Sequence, residues 1–333
     1  MQVRRAKYLR TRTILATIAV LVGIVAITPP ASAQSYPTRP VRVVVPFAAG
    51  GITDILARAL GQKLGESLGQ PIVVDNRPGA NSQVGAEIVA RAAPDGYTLL
   101  VSADTTFVMN PHLYDKLSYD AARDFSPISG LGISPQALVV HPSVPGRSVS
   151  DLIALARAKP DALNYGTFGV GSSGHLNIEL LQSLTGTKFT AVHYKGAAPA
   201  ITDLIGGHIQ MMIVSIGLIT QSWQTGQLKV LGFGSKTRIA QFADVPTIAE
   251  TLPGFEAASW YGLVAPAGTP RDIVDKLSAE TRRIFAEPAF RDKFLAPNMI
   301  FSIASTPEQF AERIRDDDAK WGKVIKDANV KVE

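Results

Sequence analysis

The sequence predicts an α/β protein of two lobes, each built on a doubly wound sheet with helices on both faces. Short apolar runs rich in β-branched residues alternate with amphipathic helical stretches, which is typical of parallel strands joined by helices. The alternation starts near residue 41 and starts again near residue 138. The length of 333 residues also suits two domains of ordinary size.

The first series of elements begins with Val41–Val45, a continuous β-branched run that indicates a strand buried on both faces. A helix is predicted over residues 53–68, where apolar residues recur at helical spacing after a glycine turn. Strands over residues 72–74 and 98–101 enclose a helix over residues 82–92. These three strands are expected to form the sheet of the first lobe.

The second series repeats this pattern, and a last strand with three helical stretches closes the chain. Its strands are predicted over residues 138–140, 163–165, 189–194, 209–214 and 228–234, and its helices over residues 149–158, 173–184 and 198–205. The closing elements are a strand over residues 261–265 and helices over residues 271–285, 288–295 and 307–327.

The closing helices have no sheet of their own, and the first series lacks a closing layer of helices. We therefore expect the chain to cross to a second lobe near residues 133–141 and to return near residues 258–266, which makes a two-strand hinge. Lobe 1 is then expected to comprise residues 34–137 and 260–333, and lobe 2 residues 138–259. A cleft between two such lobes is a natural ligand site.

Residues 1–33 have the pattern of a secretory signal peptide. Five basic residues precede a short apolar run, and Ala31, Ser32 and Ala33 supply an A-x-A cleavage site. The run, residues 14–27, is shorter than the roughly 20 residues with which a helix spans a membrane. We therefore expect cleavage and export to the periplasm, with a retained membrane anchor as the alternative.

Removal of this leader changes the charge of the chain. The full sequence has 33 basic and 28 acidic residues, and the leader holds five of the basic ones and none of the acidic ones. The rest of the chain is therefore neutral and offers no basic face to nucleic acid. The sequence has no cysteine, which excludes disulfides, thiolate metal sites and a cysteine nucleophile.

Two strand-to-helix turns combine glycine with small polar residues. The first, residues 46–54, contains Gly50 and Gly51, and the second, residues 167–175, contains Gly171. In open α/β sheets ligands bind at the carboxyl ends of strands, where helix N-termini present unpaired N–H groups and a partial positive charge. Neither turn contains Arg or Lys, so we expect an anion to be held by N–H groups, hydroxyls and waters. Tight connections without a ligand are the alternative interpretation.

Asp54 has two interpretations as well. It lies in the first turn of a predicted helix, where the helix dipole stabilises a carboxylate. The alternative is that Asp54 accepts a hydrogen bond from a ligand or orients a bridging water.

The second turn also fits the dinucleotide-binding pattern G-x-G-x-x-G, at residues 169–174. That pattern requires an acidic residue about 20 positions later, and residues 192–195 contain none. The five histidines show no metal-binding spacing, and Ser172 and Ser173 do not lie in a G-x-S-x-G turn. We therefore expect no cofactor, no metal ion and no catalytic residues.

Short segments spread over most of the chain form a specific combination. They are residues 40–47 (PVRVVVPF), 50–54 (GGITD), 69–80 (GQPIVVDNRPGA), 93–99 (APDGYTL), 164–166 (NYG), 194–196 (YKG), 244–247 (DVPT) and 262–270 (GLVAPAGTP). In these segments the chain resembles the substrate-binding proteins of tripartite tricarboxylate transporters, the Bug family. The resemblance covers nearly all of the chain after the leader.

The resemblance implies a two-lobed periplasmic binding protein of type II, a Venus flytrap without enzymatic activity. Such a receptor, expected as a monomer, closes on a small organic carboxylate and delivers it to a large and a small integral membrane subunit. Carried over by motif, the ligand-binding residues are Phe47, Gly50, Gly51 and Asp54 in lobe 1, Thr167, Gly171, Ser172, Ser173 and His175 in lobe 2, and Ser102, Thr105 and Ser215 in two further cleft loops.

Two other function classes would use the same cleft. One is an exported hydrolase, which requires a nucleophile next to a base, and the other is a ligand sensor that presents its closed form to a signalling receptor. Residues 81–83 and 214–217 depart from the usual residues of the family, so the resemblance does not name the ligand. The aromatic side chains at positions 47, 107, 168, 260 and 261 have two interpretations: they line a cleft that tolerates aromatic ligands, or they serve as hinge and core packing, which is the favoured interpretation.

Overall fold

The computed structural model describes residues 36–327 of the chain. The predicted signal peptide, residues 1–33, lies outside the described residues. Within them no helix is both long and apolar enough to cross a bilayer. The elements described below belong to one compact unit that begins at Arg39.

The elements follow each other largely as the sequence predicts. The strands formed between residues 36 and 327 are β1 (Val41–Val45), β2 (Ile72–Asn76), β3 (Thr98–Ala103), β4 (Phe125–Val140), β5 (Asn164–Thr167), β6 (Thr190–His193), β7 (Met211–Ser215), β8 (Lys229–Phe233), β9 (Ala258–Pro266) and β10 (Phe301–Ser302). The α-helices of the same part are α1 (Ile52–Leu68), α2 (Gln83–Ala90), α3 (Asn110–Leu113), α4 (Val149–Ala158), α5 (Ser173–Thr185), α6 (Ala197–Ile205), α7 (Ile216–Gln224), α8 (Arg271–Ala286), α9 (Pro288–Phe290) and α10 (Pro307–Asp327). Short π-helical turns are formed by Thr105–Met109 and Arg291–Leu295, and 3₁₀ turns by Ala240–Phe242, Ile248–Glu250 and Ala296–Asn298.

One mixed sheet runs through the described part of the chain in the order β2-β1-β3-β9-β4-β7-β5-β6, with β8 and β10 also paired to β4. β1 is parallel to β2 and β3, and β5 is parallel to β6 and β7. The pairs that involve β4 or β9 are antiparallel. We call the half with β1–β3 lobe 1 and the half with β5–β8 lobe 2. The predicted two-lobed α/β class is confirmed.

β4 passes from one lobe to the other, and β9 lies beside it. Residues 125–135 of β4 pair with β9, whereas residues 136–140 pair with β7 and β8. The crossings expected near residues 133–141 and 258–266 therefore coincide with two long antiparallel strands. The lobe boundaries after residues 137 and 259 stay a prediction.

The sequence pattern missed the first part of β4. Its pairing with β9 shifts register between Pro127 and Ser129 and again between Gly130 and Gly132, which interrupts the alternation of a regular strand. A side chain at Gly130 would also be obstructed, because its Cβ would lie 2.8 Å from Ile303 Cδ1. Gly130 therefore allows the segment around Ile303 to pack closely on β4. Because glycine has no side chain, this position also lacks the apolar residue by which a buried strand is recognised in a sequence.

Each lobe has its own apolar core. In lobe 1, Phe107 stacks on Trp260 with ring centres 5.9 Å apart, and Phe310 of α10 meets both rings edge-on. Trp260 Nε1 also donates to Asp317 Oδ2 at 2.6 Å, so α10 is fixed against the hinge strand β9. The core of lobe 2 lies between strands β4, β5 and β7 and helices α4 and α5.

Candidate ligand-binding site

A small cavity lies between the two lobes, with a volume of about 40 Å³. It is lined by Phe47, Ala48, Gly51, Ile52, Thr53 and Ala103 from lobe 1, by Phe168, Ser173, Ala197, Val214, Ser215 and Leu218 from lobe 2, and by Ser259 and Tyr261 from β9. Among these lining residues none carries a charge. Helices α1, α5, α6 and α7 begin at or next to lining residues, so four helix N-termini lie at the cavity.

Asp54 holds the turn between β1 and α1. Its carboxylate accepts hydrogen bonds from the Gly50 N–H at 3.0 Å, from the Arg58 guanidinium at 2.9 and 3.0 Å, and from Asn76 Nδ2 at 3.0 Å. Burial raises the pKa of Asp54, but the bonds from Arg58, Gly50 and Asn76 outweigh burial and hold the pKa below its ordinary value. Gly50 itself has a φ of +87°, which residues with a side chain rarely adopt. Asp54 therefore fixes the turn from behind the cavity wall.

His175 holds the turn between β5 and α5 in a similar way. Its Nδ1 accepts the Gly171 N–H at 2.9 Å, so the imidazole is neutral and carries its proton on Nε2. The ring is buried and stacks on Tyr165 with centres 6.1 Å apart. Burial, with a further contribution from His193, lowers the pKa of His175 to about 4. His175 thus supports the turn, and the Gly171 N–H is already engaged.

Protonation of His175 is expected to destabilise the protein in mild acid. Since the pKa of a histidine returns to about 6.5 in the unfolded chain, the unfolded state binds more protons than the folded state between pH 6.5 and about pH 4. The free energy of unfolding should therefore fall as the pH falls through this window, by about 2 kcal/mol at about pH 5.

Urea unfolding of the wild type and of His175→Asn tests this expectation at about pH 5 and about pH 7.5. The asparagine oxygen can still accept the Gly171 N–H but does not titrate in this range. The variant should lose less stability between the two pH values than the wild type. Equal losses in both proteins would contradict the expectation.

In lobe 1, Ser102 and Thr105 lie next to the cavity, but their polar groups form hydrogen bonds with neighbouring residues of lobe 1. The Ser102 hydroxyl hydrogen-bonds the Thr106 hydroxyl, and the Thr105 N–H donates to Asp104 Oδ1 at 2.8 Å. Both residues are buried. They position the end of β3, where Ala103 lines the cavity.

In lobe 2, Thr167 and Ser172 stabilise the second turn. Thr167 Oγ1 is 2.9 Å from His193 Nδ1, which links the ends of the neighbouring strands β5 and β6. Ser172 is the N-cap of α5, and its hydroxyl accepts the His175 N–H. These contacts hold the backbone that places Ser173 at the cavity.

The structure brings some of the predicted site residues to the cavity wall and places the others behind it. Those on the wall are Phe47, Gly51, Ser173 and Ser215. Those in the supporting turns and strand end are Gly50, Asp54, Ser102, Thr105, Thr167, Gly171, Ser172 and His175. A direct role of any of them in ligand binding stays a prediction. Within residues 36–327, no cluster of histidine and carboxylate side chains is arranged to hold a metal ion.

Sequence reasoning missed several lining residues. Phe168 and Tyr261, for which packing is the favoured interpretation, both line the cavity, and the Tyr261 hydroxyl is 3.2 Å from Ser215 Oγ. A signal for Tyr261 was available, because it lies on a strand predicted to pass between the lobes. Ala103 and Ala197 could not be recognised as lining residues from the sequence, since a small apolar side chain has no group that indicates ligand binding.

The two lobes touch each other around the cavity, which is a closed arrangement. A Cβ at Gly196 of lobe 2 would lie 2.9 Å from Ala48 Cβ of lobe 1. A Cβ at Gly217, in the first turn of α7, would overlap the backbone carbonyl of Asn298. Glycine at position 196 therefore lets the two lobes approach each other closely, and glycine at position 217 lets α7 pack closely on the backbone at Asn298.

Comparison with known proteins agrees with this fold. The sequence model of the family described as "Tripartite tricarboxylate transporter family receptor" matches residues 56–330. Protein BugT of Bordetella pertussis is 35% identical over 322 residues, which cover 96% of this chain and 98% of BugT.

Two solved structures are similar over their whole length. Rpa4515 of R. palustris, solved with adipate, has a TM-score of 0.86 and 35% identity, covering 89% of this chain and 100% of that chain. MatC (Rpa3494) from Rhodopseudomonas palustris, solved with bound malate, has a TM-score of 0.83 and 33% identity, covering 87% of this chain and 100% of that chain. The chain belongs to the tripartite tricarboxylate transporter receptor family, in which the Bug proteins are its relatives.

Proposed function

We propose that the protein is a periplasmic receptor that captures a small organic carboxylate between its lobes. The observation that carries this proposal is the uncharged interlobe cavity at which helices α1, α5, α6 and α7 begin. Helix N-termini attract anions through unpaired N–H groups and a partial positive charge. Membership of the receptor family and the dicarboxylates in the two related structures support a carboxylate as the anion.

The size of the cavity supports a ligand with one carboxylate inside it. A buried water molecule needs a cavity of about 10–15 Å³, so the interlobe cavity of about 40 Å³ accommodates a group of about three heavy atoms. Phe47 and Phe168 also line a second pocket of about 390 Å³, together with Asn81, Tyr114 and Lys195 among others. We infer that the carboxylate lies at the helix ends and that the rest of the ligand extends past the two phenyl rings.

The cavity supports a receptor better than a hydrolase. Ser173 and Ser259 line it, but their hydroxyls bond each other and the Gln136 amide, and neither bonds a histidine. The His175 Nδ1 that could act as a base is occupied by the Gly171 N–H. A serine nucleophile requires a base within hydrogen-bond reach.

We propose further that residues 1–33 direct export and that a monomeric receptor delivers its ligand to a large and a small membrane subunit. Family membership supports this assignment of partners. Deletion of the gene should then abolish uptake of the ligand by cells. Normal uptake with loss of a transcriptional response to the ligand would instead identify a sensor.

Filling the cavity is expected to weaken ligand binding at least about tenfold. Ala197→Leu places a branched side chain in a space of about 40 Å³ at the start of α6. Isothermal titration calorimetry with malate, adipate and other aliphatic dicarboxylates, on wild type and variant, measures the effect. Ala122→Leu, at an exposed position, is the matched control and should bind as the wild type does. Unchanged affinity in Ala197→Leu would place the ligand elsewhere and contradict the proposal.

A further inference from the structure

A buried polar cluster lies directly behind one wall of the cavity. Gln136 of β4 donates through Nε2 to Ser173 Oγ at 2.9 Å and to Ser259 Oγ at 2.8 Å. The two serine oxygens are 2.7 Å apart, and Asn177 Nδ2 donates to Gln136 Oε1 at 2.8 Å. All four side chains are at most 3% exposed. Only the two serines also line the cavity.

The protons of this cluster can be counted. The Gln136 amide has two N–H groups, and each is given to one serine oxygen. The two hydroxyls then have two protons, of which one forms the bond between Ser173 and Ser259. The other hydroxyl proton has no acceptor among the described protein groups around it. Both serines lie on the cavity wall, so a ligand oxygen in the cavity can supply the missing acceptor for this proton.

Asn177 determines which way the Gln136 amide faces. Its Nδ2 donates to Gln136 Oε1, which leaves the Gln136 NH₂ group for the two serines. Asn177 Oδ1 is then buried without a partner. With both amides turned over, the Asn177 NH₂ group would instead be buried without an acceptor, and orphaned N–H groups are rarer than under-satisfied carbonyl oxygens. The serine pair is therefore a net hydrogen-bond donor toward the cavity.

We propose that Gln136 is a specificity-determining residue, which makes the Ser173–Ser259 pair donate a hydrogen bond to a carboxylate oxygen of the ligand. This inference rests on the proposed function of the cavity. Gln136 acts through the two serines and is a positioning residue. A ligand group that presents only N–H or C–H to this wall leaves the spare hydroxyl proton of the serine pair without an acceptor. A carboxylate is therefore favoured over an amide whose NH₂ group faces the serines.

Gln136→Glu reverses the polarity of the cluster. At a pH at which the buried carboxyl is ionised, it accepts the spare hydroxyl proton, so the serine pair presents only lone pairs to the cavity. We expect the affinity for adipate or malate to fall at least about tenfold. The ratio of the affinity for the dicarboxylate to that for its diamide should fall by a similar factor. Gln136→Met, which leaves one hydroxyl proton unclaimed, should change this ratio less than about threefold.

Isothermal titration calorimetry of the wild type and both variants, with thermal unfolding as a check of the fold, measures these ratios. A general structural defect would lower the affinities for acid and diamide together and leave their ratio unchanged. An unchanged ratio in Gln136→Glu, or the same fall of the ratio in both variants, would overturn the inference.

Neutron diffraction on the deuterated wild type tests the inference without a ligand. We expect two deuterons on Gln136 Nε2, one toward each serine oxygen. An amide turned over, with Oε1 toward the serines, would overturn the inference even if the protein binds dicarboxylates. If the wild type binds none of the acids, the proposed function fails, while the neutron result still decides the orientation of Gln136.

Discussion

Alanine in place of Gly217 is expected to weaken ligand binding about 100-fold, which corresponds to about 2.8 kcal/mol. Gly217 lies in α7 of lobe 2, and a Cβ there would overlap the backbone of Asn298, in the 3₁₀ turn that precedes β10. Since backbone cannot rotate aside as a flexible side chain can, α7 and the 3₁₀ turn at Asn298 would have to move apart. Ser215 and Leu218, at the start of α7, line the cavity, so a displaced α7 loses its contacts with the ligand.

Gly65→Ala is the matched control for this experiment. Gly65 also lies in a helix, α1, but its Cβ would lie 3.4 Å from the Gln70 carbonyl oxygen, an ordinary contact. Calorimetric titration with the same dicarboxylate should show normal affinity for this variant. Wild-type affinity in Gly217→Ala would mean that ligand binding does not need the close packing of α7 on Asn298.

Asp54→Asn is expected to lower the free energy of unfolding by about 2–4 kcal/mol. The asparagine amide can accept fewer hydrogen bonds than the carboxylate, and its NH₂ group would face donors from Gly50, Arg58 or Asn76. Because the pKa of Asp54 is held below 3.8 in the folded state, its stabilising effect is complete above that pH and is lost as the pH falls further. The deficit of the variant should accordingly shrink below pH 3.8. Ligand affinity should fall as well, since the turn at Gly50 loses its anchor.

An exposed aspartate provides the control for Asp54. Asp275 pairs with Arg271 at the same helical spacing, with 2.8 Å between Oδ1 and Nε, but its side chain is 52% exposed. Asp275→Asn should change the free energy of unfolding by less than about 1 kcal/mol, because solvent screens such pairs. Guanidinium chloride unfolding of the two variants gives the comparison. Equal losses in the free energy of unfolding would mean that Asp54 contributes no more than an exposed ion pair does.

The elements that the sequence predicts best are those with a strong local period. The bounds of β1 (Val41–Val45) and α10 (Pro307–Asp327) agree with the sequence pattern, because a β-branched run and a long amphipathic stretch carry their own signal. Helix α7 is not predicted from the sequence, although Ser215, a residue type common at helix N-caps, precedes it. The first part of β4 was missed because its pairing depends on register shifts with β9, which is far away in sequence.

The site shows a similar limit. Glycine and hydroxyl residues mark both turns in the sequence, but they do not tell which side chain faces the cavity. Ser172 caps α5 from an extended backbone conformation, whereas the adjacent Ser173 is the first residue of the helix and lines the cavity. Ser259 was missed altogether, since its place at the cavity follows from the path of β9 between the lobes. Tertiary geometry decides these positions.

The course of β4 has a consequence for how this protein can come apart. Residues 136–140 of that strand lie between β7 and β8, so the sheet of lobe 2 takes one of its interior strands from a segment whose other end is built into lobe 1. The sheet of lobe 2 is therefore incomplete without β4, and removal of β4 would separate β8 from β7. Because the lobes share this strand, we expect them to unfold together. A partly unfolded state with only one of the two glycine turns intact, which would bind anions weakly and without selectivity, then does not accumulate.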